Sequence, residues 1–214
     1  MTNPSLAFGP ADLAPRARIR EAALRLYAEN GLQATSIRMV AEEAGLSPGA
    51  VMHHFKTKEE LVEAVQHAVI ATIRQAVSEV GLDAAPHVAA QQRRQAFDQL
   101  VTDNPAIAGY LRRVILDGGP AGVALFTEGF ELVRSEMQAL VDAQIARPLP
   151  DPDVGLVLYR AVHLAHIIFG PLLEQMLGLS LADPAVLERF RDAAVDLLTR
   201  PVFREAPRRT QPGA

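Results

Sequence analysis

The sequence predicts an all-α protein, with a small N-terminal bundle of three helices and a larger helical region after it. Apolar residues recur at intervals of three and four along most of the chain, which is the period of an α-helix, and no segment shows the sustained alternation of a β-strand. The predicted helices are separated by explicit glycine and proline breaks at 103–105, 118–120, 148–152 and 178–184. At 214 residues the chain is long enough to bury a sizeable core.

The first predicted helix runs from Arg16 to Asn30 and is closed by Gly31, a residue that ends helices in the left-handed conformation. A second helix is expected to begin at Ile37, with Ser36 as its N-cap, and to end at Gly45. The apolar face of this second helix is formed by Ile37, Val40, Ala41 and Ala44.

The third helix is predicted from the pair Ser47-Pro48, because serine caps a helix and proline is tolerated at its first position. Phe55 is expected to anchor it in the core. Thr57 and Glu60 form a capping box, so a long helix should begin at Lys58 and reach about Val80. Two short helices joined by a glycine turn are the plan of a helix-turn-helix, whose second helix enters the DNA major groove.

The segment between Arg18 and Leu61 resembles the N-terminal domain of the TetR family of bacterial transcriptional regulators. The resemblance is carried by Ala22-Ala23 through Gly31, Thr35-Ser36-Ile37-Arg38, Val40-Ala41, Ala44-Gly45-Leu46-Ser47, Gly49-Ala50-Val51, His54-Phe55 and Lys58-Glu59-Glu60-Leu61. It implies an all-helical homodimer that binds a palindromic double-stranded DNA operator through its N-terminal domains. It also implies a larger C-terminal domain that binds a small-molecule effector and dimerises, and a repressor that the effector releases from DNA.

The resemblance implies DNA contacts on the second and third helices and at the start of the fourth. The residues carried over are Ser36, Arg38, Ser47, Gly49, Ala50, Met52, His53, His54 and Lys58. Met52 replaces a tyrosine that many relatives carry, and methionine can make only an apolar contact there. A histidine N–H donates well to a phosphate oxygen, although His53 and His54 could also be simply exposed.

Helices are also predicted at 87–102, 105–117, 120–145, 152–178 and 183–199. The helix at 152–178 has almost no polar face and should be buried on every side. Arg160, His163 and His166 interrupt it, so we expect burial against a partner chain rather than in a membrane. The predicted dimer interface, a four-helix bundle around a two-fold axis, consists of Leu158, Val162, Ile167, Phe169, Leu187, Phe190 and Leu197.

The predicted domain organisation has four parts. Residues 1–15 should form a flexible arm, 16–62 the DNA-binding domain, 63–200 the effector-binding and dimerisation domain, and 201–214 a disordered tail. The start of the chain lacks the basic and apolar runs of a signal peptide, which with the absence of cysteine fits a reducing cytoplasm.

Charge is unevenly distributed along the chain, although the net charge is only −4. The segment from Arg16 to Lys58 holds seven basic residues against four acidic ones, whereas fourteen basic and twenty acidic residues follow it. A local positive surface is what phosphate contact requires. An excess of three positive charges is also ordinary for a segment of this length, so the charge distribution agrees with DNA binding there but does not establish it.

Effector residues are harder to identify, because apolar residues at helical spacing serve both cores and pockets. The predicted pocket for a largely apolar effector comprises Phe97, Tyr110, Phe126, Phe130, His163 and His166. Two histidines supply only half of a tetrahedral metal site, so we expect no metal, and no cofactor. Arg93-Arg94 or Arg112-Arg113 could meet an acidic effector.

The alternative function is a helical enzyme or binding protein for a small hydrophobic molecule. The sequence offers no thiol, no nucleophile–base pair and no phosphate loop, so no catalytic residue is expected.

Overall fold

The computed structural model describes residues 14–81, 83–180 and 182–199. Within these ranges the chain forms nine α-helices and no strand. The helices are α1 (Ala14–Asn30), α2 (Ile37–Ala44), α3 (Pro48–His54), α4 (Lys58–Ser78), α5 (Pro86–Asp103), α6 (Pro105–Asp117), α7 (Pro120–Asp142), α8 (Pro152–Leu177) and α9 (Pro184–Thr199). The predicted all-α class is confirmed, and each predicted helix is present with its ends shifted by a few residues.

The arm predicted at residues 1–15 and the tail predicted at 201–214 lie outside the described residues, except that Ala14 and Pro15 already belong to α1. Helices α5, α6 and α7 each begin with a proline, namely Pro86, Pro105 and Pro120. A proline at the first helical position loses only an N–H that would have had no partner.

The chain divides into two compact units, Met1–Arg160 and Ala161–Ala214. In the first unit, α1 packs against α2, α4 and α6, while α4 also contacts α5 and α7. The predicted division between residues 62 and 63 falls inside α4, and the helices on either side of it belong to the same compact unit.

The contact between α1 and α6 is close because it is built around a glycine. A Cβ placed on Gly109 would lie 2.9 Å from the Cβ of Ala28, so no larger side chain fits without moving a helix. One turn further along α6, Arg113 donates a hydrogen bond of 2.9 Å to the carbonyl of Glu29. Tyr27 and Tyr110 are fully buried here, and burial raises the pKa of both phenols. The N-terminal three-helix segment is therefore packed closely against α6 through its helix α1.

In the second unit, the C-terminal part of α8 packs on α9. The rings of His166 and Phe190 lie 5.9 Å apart, and Leu164, Ile167 and Leu187 are buried. Pro171 lies inside α8, and the helix continues past it to Leu177. By length and apolar composition alone, α8 could cross a membrane; among the described residues no other helix meets that criterion.

Candidate nucleic-acid interface and effector site

Helix α2 begins and ends where its local residues require. The Oγ of Ser36 accepts a hydrogen bond of 3.3 Å from the N–H of Met39 and so caps the first turn. Gly45 adopts the left-handed conformation, with φ of 65°. The N–H groups of Gly45 and Leu46 donate to the carbonyls of Glu42 and Ala41, which closes the helix. The predicted turn is therefore confirmed, and it sets the direction of α3.

Helix α3 is short and depends on its caps and on two buried side chains. The Oγ of Ser47 accepts from the N–H of Ala50 at 3.1 Å. Val51 and Phe55 have no exposed surface, which anchors one face of the helix in the core. The opposite face is left to solvent.

Side chains of α1 brace the helix pair from behind. Arg18 donates to the carbonyl of Ala44 at 2.6 Å, and Arg25 pairs with Glu43 at 2.9 Å. The hydroxyl of Thr35 is buried and donates to the carbonyl of Gly31 at 2.9 Å. These contacts hold α2 and its preceding loop against α1, so the outer surface of α3 is presented in a defined orientation.

The predicted DNA contacts lie at α2, at α3 and at the start of α4, and each of them has exposed surface. Ser36, Arg38, Ser47, Gly49, Met52 and His53 are exposed, whereas Ala50, His54 and Lys58 are partly exposed. The rings of His53 and His54 meet edge to face at 5.5 Å. Within the described residues no hydrogen bond or ion pair engages the Arg38 guanidinium. Hydroxyl, imidazole and guanidinium donors here can bind phosphate oxygens or base edges.

Two lysines at the edge of this surface have contacts that the sequence did not reveal. The Nζ of Lys58 donates to the carbonyl of Gln33 at 3.0 Å and so ties the start of α4 to the loop before α2. The N–H of Lys56 donates to the carboxylate of Glu60 at 2.7 Å, and Thr57 caps α4 as predicted. The exposed Lys56 side chain, which the prediction missed, follows α3 directly; a basic residue at that position was the available signal.

The predicted effector residues do not form one group. Phe126 and Phe130 stack on successive turns of α7, with ring centroids 6.4 Å apart, and Phe97 is partly exposed on α5. Tyr110 is buried beside Tyr27 where α6 meets α1, so it belongs to the core. His163 and His166 lie in the other compact unit. Of the six predicted residues, the structure brings two pairs into contact, Phe126 with Phe130 on α7 and His163 with His166 on α8.

His166 is buried with 6% of its surface exposed, and its Nδ1 lies 2.8 Å from the carbonyl of His163. Burial lowers the pKa of the His166 imidazole to about 4, with neighbouring His163 and Arg191 adding to the effect and the backbone hydrogen bond opposing it. The ring is therefore neutral near pH 7. No group of three or more metal-ligating side chains occurs in the described part of the chain.

A half-buried arginine, Arg160, lies next to the stacked phenylalanines. The guanidinium carbon of Arg160 lies 5.6 Å from the centre of the Phe126 ring, and its planar group occupies the space that a side chain at residue 129 would fill. Burial lowers the pKa of Arg160 to about 10, partly offset by the charge of Glu136. Sequence reasoning treated Arg160 only as an interruption of an apolar helix, although such an interruption is itself a signal of a polar site.

A concavity lies where the α1–α2 loop faces the connection between α6 and α7. It has a volume of about 480 Å³ and is open to solvent on one side. Its lining consists of residues 30–34, Arg113, Val114, Asp117 and residues 119–122. None of the six predicted effector residues borders it.

Comparison with known proteins identifies the N-terminal segment. Residues 19–65 match the family described as "Bacterial regulatory proteins, tetR family". The chain is 28% identical over 205 residues to the HTH-type transcriptional regulatory protein RaaS of Mycobacterium tuberculosis, covering 84% of this chain and 93% of that protein. It is 38% identical over 78 residues to the HTH-type transcriptional repressor AcnR of Corynebacterium efficiens, covering 36% of this chain and 42% of that protein.

The fold is shared with solved structures over most of the chain. The TetR family transcriptional regulator PfmR from Thermus thermophilus superposes with a TM-score of 0.64 at 23% identity. The match covers 87% of this chain and 100% of that one. At this level of identity the likeness concerns the fold, so both the N-terminal helix-turn-helix and the helical region after it follow a known architecture.

Proposed function

This chain belongs to the TetR family of bacterial transcriptional regulators, and from that premise we propose that it is a homodimeric repressor that a small molecule releases from its operator. The observation that carries the proposal is the capped α2–Gly45–α3 unit, whose inner face is buried and whose outer face is polar. Members of the family are DNA-binding regulators, not enzymes. Repression, rather than activation, is supported by the name of the relative AcnR, which is a transcriptional repressor.

The DNA contacts divide into two kinds. Arg38, Lys56 and the hydroxyls of Ser36 and Ser47 are exposed and would bind phosphates, a type of contact that would supply most of the affinity. Met52, His53 and His54 lie on the exposed part of α3 and would reach base edges in the major groove. Lys58, already bonded to the Gln33 carbonyl, would hold the loop in place for phosphate contact.

The dimer surface is supported by exposed apolar side chains of the second compact unit. Phe169, Leu172, Met176 and Leu177 of α8 and Val195, Leu197 and Leu198 of α9 are exposed in the protomer. A partner chain would remove this apolar surface from water. Among the residues predicted for the interface, Phe169 and Leu197 are exposed, and so is Leu158 in the first unit. Val162 and Phe190 are half-buried, and Ile167 and Leu187, at 4% and 2% exposure, have no surface left for a partner.

Release from DNA would follow from linkage between two sites. An effector shifts the equilibrium only by binding one conformation more tightly than the other. The Gly109–Ala28 contact and the Arg113–Glu29 hydrogen bond join α6 to α1, so a movement of α6 would be transmitted to the helix that braces α2. We place the protein in the cytoplasm, where its operator would be accessible.

The test begins with selection of bound sequences from a random duplex pool, followed by fluorescence anisotropy on the recovered site. We expect a palindrome with half-sites about one helical turn apart or a multiple of it. Arg38→Ala should weaken binding and reduce the salt slope by about 0.9, the value for one phosphate contact. Arg147→Ala is the matched control, because Arg147 is also exposed but lies in the connection after α7.

An equal loss of affinity in both arginine variants would mean that only overall charge matters, and the assigned interface would be wrong. Recovery of no enriched palindrome would contradict the homodimeric operator reading.

A further inference from the structure

We propose that Arg160 is the anion-binding residue of the effector site, and that the effector is an apolar molecule bearing a carboxylate. The inference rests on the proposed function, in that it names the ligand class of a regulator's effector site. The site lies within the first compact unit, among α5, α7 and α8.

The Arg160 side chain has fewer hydrogen-bond partners than its N–H groups could use. Its Nε is buried and has no hydrogen-bond partner among the described residues. The nearby carboxylate of Glu136 already accepts a hydrogen bond of 2.9 Å from Arg93. A buried guanidinium normally has its N–H groups satisfied, because burying an unpaired donor costs free energy. An external acceptor would complete the set.

Positive charge exceeds negative charge around Arg160. Three arginines, Arg93, Arg94 and Arg160, are half-buried on α5 and α8. The neighbouring acidic groups are two carboxylates, those of the buried Asp98 and the half-buried Glu136. Asp98 and Arg94 are engaged within the protein, and Arg94 hydrogen-bonds the phenol of Tyr159. One positive charge is therefore left over in a poorly solvated region, which favours a ligand with one negative charge.

The groups around the Arg160 guanidinium are a glycine and two aromatic rings. Gly129 leaves room for it, since a Cβ at that residue would overlap the Arg160 side chain. Phe126 and Phe130 stack one turn apart on the same helix and offer an apolar wall beside the charge. A planar guanidinium binds a carboxylate through two parallel hydrogen bonds, and the aromatic wall suits the apolar remainder of the ligand.

The exposed Arg134 provides an internal comparison. It lies 4.9 Å from the centre of the Phe130 ring, much as Arg160 lies over Phe126. Arg134 is exposed, however, and pairs with Asp153 at 3.3 Å and with Glu131 at 3.9 Å. Proximity to an aromatic ring is therefore common to both residues, whereas Arg160 differs in being half-buried, with a buried Nε that has no hydrogen-bond partner among the described residues.

The experiment is isothermal titration calorimetry of the full chain with two carboxylate probes, decanoate and para-butylbenzoate, and with their methyl esters as uncharged matches. We expect the wild type to bind at least one acid, and to bind it more tightly than its ester. Arg160→Met should weaken acid binding by roughly tenfold to a hundredfold, the usual range for a hydrogen bond to a charged group, and leave ester binding within about twofold. Arg134→Met should leave both unchanged.

Two further variants protect the test against a folding defect. Gly129→Ala retains the charge but displaces the guanidinium, so it should lower acid binding in the same direction. Arg160→Lys should restore part of it. The melting curve of each variant, followed by circular dichroism, verifies that the helices are intact.

The proposal is overturned if neither acid binds the wild type, if acid and ester bind equally, or if Arg160→Met keeps the preference for acid. Operator binding is measured separately on the same preparations. A wild type that binds the operator and no acid would refute this inference alone, whereas a wild type that binds acid and no DNA would refute the proposed regulator.

Discussion

Two regions of the molecule differ in how much apolar surface they expose. One is the segment from α1 to the start of α4, and the other is the pair formed by α8 and α9. In the described part of the chain up to residue 81, Met52 is the one large apolar side chain that is exposed, at 39%. Helices α8 and α9 leave many such side chains in solvent, with Phe169 at 50%. The first region therefore completes its core within the described chain, whereas the second leaves much apolar surface uncovered among the described residues.

Helix caps distinguish the N-terminal segment from the middle of the chain. Ser36, Ser47 and Thr57 each accept a hydrogen bond from the first turn of α2, α3 and α4. Helices α5, α6 and α7 begin at prolines and have no side-chain cap. The N-terminal segment is therefore defined by local side-chain interactions, whereas the starts of α5, α6 and α7 have none and depend on packing against other helices.

The largest effect should come from removing the anchor of the N-terminal segment. Phe55→Ala should lower the free energy of unfolding by about 4 kcal/mol, because it leaves a cavity beneath α3. Met52→Ala, three residues away on the exposed face, should change it by no more than about 0.5 kcal/mol. Urea denaturation followed by circular dichroism measures both. A similar cost for the two variants would mean that α3 has no anchored face.

The next effect should come from the apolar surface of the second unit. Phe169→Glu combined with Leu172→Glu should convert a dimer to a monomer in sedimentation velocity, because it places charge on an exposed apolar stripe. Operator affinity should then fall on the order of a hundredfold, since two half-sites are no longer bound together. Leu116→Glu with Val123→Glu, which are exposed at 63% and 60% in the first unit, is the control. Loss of dimer in the control pair instead would relocate the interface.

A pH effect of intermediate size should arise from His166. Its native pKa is lowered from 6.5 to about 4, so between these values the unfolded chain takes up a proton that the native chain does not. Stability should therefore fall as pH falls through this window, by about 2 kcal/mol from about pH 7 to about pH 5. His166→Phe should flatten that dependence in urea titrations at the two pH values. His67→Gln, which changes an exposed histidine of α4, should retain it; equal pH dependence in wild type and His166→Phe would contradict the assignment.

The smallest effect should distinguish two glycines by backbone conformation. Gly45→Ala should cost about 1–2 kcal/mol, because φ of 65° strains any residue with a Cβ. Gly119→Ala should be neutral or stabilise by up to about 1 kcal/mol, since φ there is −77° and the space is open. Thermal melting of both variants makes the comparison, and equal shifts would show that the α2–α3 turn is not as constrained as its geometry indicates.

Much of the fold could be predicted because its signals are local. Ser36, Gly45, Ser47 and Thr57 define the helix-turn-helix through interactions spanning a few residues, and every one of those assignments is confirmed. The later helices were located equally well from their glycine and proline breaks. Periodicity and caps act within one element, so a single sequence contains them.

The candidate sites could be predicted less completely, because they depend on which helices meet. Helical spacing grouped Tyr110 with Phe126 and Phe130, yet α6 turns Tyr110 toward α1 and into the core. The same spacing assigned Ile167 to a dimer surface, although it is buried in its own protomer. Arg160 was recognised only as a charge in an apolar helix, because its relation to Gly129 and Phe126 arises between elements.

The sequence by itself determined the all-α class, the helix boundaries and the presence of a helix-turn-helix, since each follows from caps, turns and apolar periodicity within about twenty neighbouring residues. Only the tertiary structure decided which apolar residues are core, which remain exposed, and that the Nε of Arg160 is buried without a hydrogen-bond partner among the described residues. Burial and pairing depend on residues distant in the chain, and a pattern along one helix does not specify what the other helices place against it.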